Sequence, residues 1–170
     1  MRDARPGKAT GMHRILAGLA AGAAGTTALN LVTYLDMLAR ARPASSTPEE
    51  TVRVLERRTG LGLAAGGTDT DAAGNRRSAL GALLGIASGL GVGAVYGAVR
   101  PALGRLPLPL LGVAAGLAAN VATTGPMAAA GITDPREWSA GSWMSDLVPH
   151  LAYGFATAAV WELIRPRADR

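Results

Sequence analysis

Three ionisable side chains sit inside or at the edge of long runs of Ala, Leu, Val and Gly: Asp36, Asp146 and His150. A charge at the centre of a bilayer costs roughly 2.5–3.5 kcal/mol on insertion scales. Ionisable groups kept there against that cost mark ion paths, proton relays or internal pairs. Asp146 and His150 stand at i and i+4, so one helix face carries both. A histidine exchanges a proton near neutral pH. Together with Asp36 the pair is a candidate proton relay or cation site, with Asn30, Tyr34, Thr123 and Thr124 as polar neighbours. The plainer reading of the same residues is structural. In it Asp36 pairs with Arg40, Asp146 caps the start of the last span, and His150 donates to Asp146. Glu162, three residues before Arg165, is expected to form a salt bridge at the other end of that span.

The elements that must position these groups are four apolar stretches, at about 15–39, 78–99, 109–130 and 143–164. Each is long enough to cross the hydrocarbon core as a helix, which takes roughly 20 residues. Arg or Pro residues bracket them, among them Arg14, Arg40, Arg77, Arg100, Pro101 and Arg165. The first stretch is too long for the apolar core of a signal peptide, so it is read as a span. Segment 40–77 lies outside the bilayer. Its Pro43–Pro48 stretch has loop composition, and Thr47 three residues before Glu50 predicts a capping box opening a short helix over 48–59. Gly60 is placed to end that helix. Val52, Leu55 and Thr59 share one face of it, enough to rest the helix on the bundle or the membrane. Residues 60–75 read as flexible.

The second span carries the most regular pattern in the chain. Gly81, Gly85, Gly89, Gly93 and Gly97 recur at every fourth position. On a helix they form one continuous groove without side chains, which another helix can approach closely. Matching small-residue faces are Gly18-x-x-x-Gly22 in the first span and Gly112-x-x-x-Gly116-x-x-x-Asn120-x-x-x-Thr124 in the third. The ridge is expected to pack the bundle internally; the alternative is a glycine zipper between copies, making a homo-oligomer. Similar words in the two halves, such as Gly18-Leu-Ala-Ala21 and Gly116-Leu-Ala-Ala119, suggest two tandem helical hairpins.

Composition supports lipid as the medium. Hydrophobic residues make up 49% of the chain but aromatics only 4%, and there are 23 glycines. In a soluble helix each interior Gly costs ~1 kcal/mol against Ala; in a bilayer small residues let helices associate. The net charge of +5 comes from Arg flanking the spans, a pattern that suits lipid headgroups and not nucleic acid. With no Cys and two His, thiolate and ordinary zinc chemistry are excluded. No phosphate-binding loop, nucleophile elbow or zinc-protease motif is present, so no cofactor and no enzyme activity are expected. Four spans put both termini on one side. Basic residues divide almost evenly between the sides, and the compact basic loop after Arg100 favours cytoplasmic termini. Trp138 and Trp143 are then expected at the opposite interface.

The layout resembles small inner-membrane proteins of bacteria, the YagU-like group. The residues that carry the likeness are the Ala/Gly/Thr-rich stretch 17–30, Thr47-Pro48-Glu49-Glu50, and His150-Leu-Ala-Tyr153-Gly154. The resemblance implies a bacterial plasma-membrane protein and supplies no catalytic residues. The chain is therefore expected to be an all-α, four-transmembrane-helix bundle. Its expected role is a structural or interaction module packed through glycine faces, with a small transporter or channel subunit acting through Asp36, Asp146 and His150 as the alternative.

Overall fold

A helix is the one open-chain structure that satisfies all its own backbone hydrogen bonds, so an apolar run in lipid must become one. The computed structural model describes residues 6–65 and 70–169, and it is all-helical there. Arg2, Arg5 and Arg170 of the orientation argument lie outside the described residues, as does the 66–69 part of the segment read as flexible. Five helices follow one another: α1 (Pro6–Arg40), α2 (Thr47–Thr59), α3 (Thr70–Val99), α4 (Leu108–Ala129) and α5 (Ala140–Ile164). Four of them, α1, α3, α4 and α5, are long and apolar enough to cross a membrane. Short 3-10 turns at Arg100–Leu103, Pro135–Glu137 and Arg167–Asp169 finish the connections.

Helix ends show two departures from the sequence reading. The capping box does not form: α2 starts at Thr47 itself, and the Thr47 amide donates to Ser45 Oγ at 3.2 Å. Glu50 turns outward instead, to Arg57 at 2.9 Å and Arg53 at 3.4 Å. Asp146 caps nothing, because α5 already begins at Ala140 and Ser139 Oγ accepts the Ser142 amide at 3.1 Å. Gly60 does end α2, with φ +71° and its amide on Glu56 O. Residues 70–75, read as flexible, are the first turns of α3.

The four long helices form an open row, α3–α1–α5–α4, in which α3 and α4 barely touch. Two hairpins, α1/α3 and α4/α5, are joined mainly through α1 and α5, with Tyr153 and Trp161 of α5 also reaching α3. Glycine sets the close contacts. A Cβ on Gly93 would lie 2.5 Å from Gly22 Cα and from Gly18 O, and one on Gly97 would lie 2.8 Å from Gly18 Cα. In the second hairpin a Cβ on Gly116 would lie 2.7 Å from His150 O, and one on Gly154 would lie 2.6 Å from Gly116 Cα. Such backbone-to-backbone approach maximises dispersion contact where lipid supplies no hydrophobic driving force. Both crossings sit in the half of the bundle nearer the termini. Toward the other side the helices diverge, and Ala82 to Ser88 of α3 are all exposed.

The glycine ridge of α3 is thus shared among three neighbours. Gly93 and Gly97 meet α1. Gly89 meets Thr26 and accepts the Tyr153 hydroxyl on its carbonyl at 2.6 Å. Gly81 meets α2, where a Cβ added to it would lie 2.7 Å from Pro48 Cβ. Gly85 has no neighbour within 4 Å of its Cβ position.

Candidate functional site

Where α3 leaves α4, a cleft of about 1050 Å³ opens between them. Its mouth lies on the side away from the termini, at Arg40, Arg42, Thr47, Trp138 and Ser142. Its floor reaches Gly89, Val92 and Tyr153. Tyr153 stands thirteen residues into α5, roughly 20 Å from its start at 1.5 Å per residue. The cleft therefore runs along about half the length of α5. Leu29, Ile86, Val92, Met127 and Pro149 make apolar wall, and small residues on α3 keep the width.

His150 and Asp146 line this cleft from α5 and meet α4. His150 Nδ1 is 2.7 Å from Asp146 O and 3.6 Å from Asp146 Oδ1. Its Nε2 is 3.2 Å from Thr123 Oγ1. Asn120 donates its amide N–H to Asp146 Oδ2 and stands 3.4 Å from His150 Nδ1. Gly116, one turn before Asn120, explains the arrangement: without a side chain there, α4 comes close enough to the His150 backbone for Asn120 to reach both residues. Pro149 removes one helix hydrogen bond, leaving the Ser145 carbonyl without its usual donor.

Asp36 does not join this cluster directly. Arg42 Nε lies 2.6 Å from its Oδ2 and Arg40 Nε lies 2.9 Å from its Oδ1. Ser145, next to Asp146, donates to Asp36 Oδ2 at 3.2 Å and also takes a hydrogen bond from Arg40. Asp36 thus ties α1 to α5 at the mouth, in the structural role with Arg40 that the sequence suggested and with Arg42 added. Asn30 and Tyr34 line the cleft from α1 but are exposed and make no hydrogen bond to the cluster. Thr124 is buried beside it without a partner for its hydroxyl.

Asn120 is the residue the sequence reading missed as a site member. It stood in the small-residue stripe of the third span, and its position one turn after Gly116 and at the level of Thr123 was the available signal. Arg100 was missed too, being read as a flank of the second span. It is buried at the terminus end, where it lies 2.6 Å from Glu162 Oε1, donates to Gly104 O at 2.9 Å and stacks over Trp161 at 5.6 Å. Glu162 also pairs with Arg165 at 3.1 Å, as expected. Tyr96 and Trp161 meet edge to face at 6.2 Å just inside this pair, and Arg14 closes on Asp169 nearby. These groups shut the end of the bundle opposite the cleft's mouth. At the mouth Trp138 and Trp143 form an edge pair with centroids 5.1 Å apart.

Outside the membrane, α2 is fixed to α3 by Glu56. Its carboxylate accepts the Ala64 amide at 2.8 Å and pairs with Arg77 at 2.9 Å. The Ala64 hydrogen bond first, and Arg77 second, hold the Glu56 carboxyl below its ordinary pKa. No group of three or more metal-ligating side chains occurs among the described residues. No family model, no curated protein and no solved structure matches this chain.

Proposed function

We propose that the protein is a small membrane transport or ligand-binding subunit whose site is the cleft between α3 and α4. The observation that carries this reading is a cavity of about 1050 Å³ that runs from one membrane face to His150, with the bundle shut at the other face. A module built only for packing through its glycine faces would close α3 onto α4, whereas here polar side chains line the space between them. The glycine ridge favours the same reading. Its Gly81, Gly89, Gly93 and Gly97 are taken up by α2 and α1 within the chain, and Gly85 faces the cleft. In this reading Asp146, His150, Asn120 and Thr123 are the recognition or proton-handling groups, and Asp36 braces the mouth. The likeness to the YagU-like group and the basic loop at Arg100 support a bacterial plasma membrane with cytoplasmic termini, so that the cleft opens outward.

The natural absence of Cys makes the test direct. A Gly85→Cys variant, whose new side chain has free space, is expected to react in intact cells with a membrane-impermeant thiol reagent. A Val95→Cys variant, at a residue 62% exposed but outside the cleft and facing lipid in this reading, is expected to stay unlabelled. Labelling of Gly85→Cys only in inverted vesicles would reverse the orientation; labelling from neither side would end the vestibule reading.

A further inference from the structure

We propose that the ligand of this cleft is a hydrophobic organic cation, held with its positive end at Asp146; the inference rests on the vestibule reading above. Charge accounting leads to it. Asp36 and Glu162, the other carboxylates within the apolar spans, each take two arginines. Asp146 pairs with no arginine or lysine among the described residues. Its carboxylate partners are the Asn120 amide and an imidazole 3.6 Å away. Asp146 is thus the one carboxylate of the described apolar spans that no arginine or lysine side chain balances, and a cation in the cleft would supply that countercharge.

The rest of the cleft selects the kind of cation. A Ca2+- or Mg2+-like ion wants six or more oxygen ligands converging on one point, and a zinc-like ion wants three or four His, Cys or carboxylate ligands, a group that does not occur among the described residues. Here Asn120 presents its N–H, not its oxygen, to Asp146, and His150 offers nitrogen, so that oxygen set is missing. The volume is instead that of a drug-sized pocket. Leu29, Ile86, Val92 and Met127 offer apolar contact for an organic body, and Tyr34 and Trp138 lie near the mouth as aromatic faces for a cation.

The route is lateral. Arg40 and Arg42 stand at the aqueous mouth and disfavour entry of a cation there. Between α3 and α4, by contrast, the wall is open: Ala82, Gly85, Ile86 and Ser88 of α3 line the cleft and are exposed, and Gly85 has no neighbour within 4 Å of its Cβ position. A cation with an apolar body, gathered at the membrane surface, enters along that gap, which water also reaches from the mouth, and meets Asp146 at its inner edge.

Binding of tetraphenylphosphonium to the purified full chain in detergent, measured by calorimetry, tests the idea against tetraphenylborate, which has the same shape and the opposite charge. The wild type is expected to bind the phosphonium at least about tenfold more tightly than the borate, and Asp146→Asn to lose that preference while binding both weakly and alike. Equal binding of the two ions by the wild type, or a preference that survives in Asp146→Asn, overturns the proposal. Thiol labelling of Gly85→Cys in the same preparation separates the failures. A labelled protein without charge preference refutes the cation alone, and an unlabelled one refutes the cleft as well.

Discussion

The two ends of the bundle use the same residue types to opposite effect. Toward the termini, Gly18, Gly22, Gly93 and Gly97 lock α1 to α3, and Gly112, Gly116 and Gly154 lock α4 to α5. Arg100, Glu162, Tyr96 and Trp161 then fill what remains. Away from the termini, Gly85 touches nothing, α3 and α4 part, and the polar groups line space instead of filling it. The difference teaches that a small-residue stripe does not by itself specify a closed interface. Two straight helices that cross closely at one level must separate at another, and glycine only sets how close the crossing is.

The sharpest way to break this comparison is one substitution at each end of the same ridge. Gly93→Leu drives a side chain into the α1 backbone and is expected to cost ~3 kcal/mol or more, the upper range for overpacking. Gly85→Leu, about two turns away, should change stability by less than ~0.5 kcal/mol because it meets empty space. Unfolding in detergent followed by circular dichroism measures both; equal losses would mean that the two ends do not differ.

A second pair of variants compares the arginines. Arg100 has a side chain only 9% exposed and serves a carboxylate that shares it with Arg165. Arg100→Ala is expected to lose about 3 kcal/mol, the lower figure for breaking a buried pair. Arg40→Ala, with its side chain 42% exposed at the open end, should lose at most ~1 kcal/mol, since Arg42 still holds Asp36. A reversed order in the same unfolding assay would place the firmly packed end on the wrong side.

The smallest effect concerns α2, which rests on α3 beside the open end. The folded-state pKa of Glu56 lies below its unfolded value, so its contribution is complete above the unfolded value and is lost as pH falls through the folded one. The protection factors of the α2 amides, corrected for the pH dependence of intrinsic exchange, should therefore fall in acid while those of the terminus-side halves of α3 and α5 hold. Glu56→Gln should show the lower protection already at neutral pH. If acid leaves α2 protection unchanged in the wild type, Glu56 is not what holds α2 down.

Much of the architecture was legible in the residues. Four apolar runs become four long helices, Gly60 stops α2, and the pairing of Asp36 with Arg40 follows from their spacing along one helix. Asp146 with His150 was legible for the same reason. The site was legible only in part. Asn120 and Thr123 come from α4, and their meeting with His150 depends on how closely Gly116 lets two helices approach. The cap at Thr47 was misjudged because Ser45 takes its amide first. The burial of Arg100 was hidden because its partners, Glu162 and Trp161, lie some sixty residues away in α5.

Sequence alone determined the four long helices and that each is apolar enough to cross a membrane, because hydropathy acts locally and lipid leaves the backbone no alternative to a helix. It also determined which side chains share a helix face, since the helical repeat is a fixed geometry. Tertiary structure alone decided the order α3–α1–α5–α4, the parting of α3 from α4, and the cleft that results. Those features depend on the level at which helices cross, and in lipid that level is chosen by backbone contact between residues far apart in the chain.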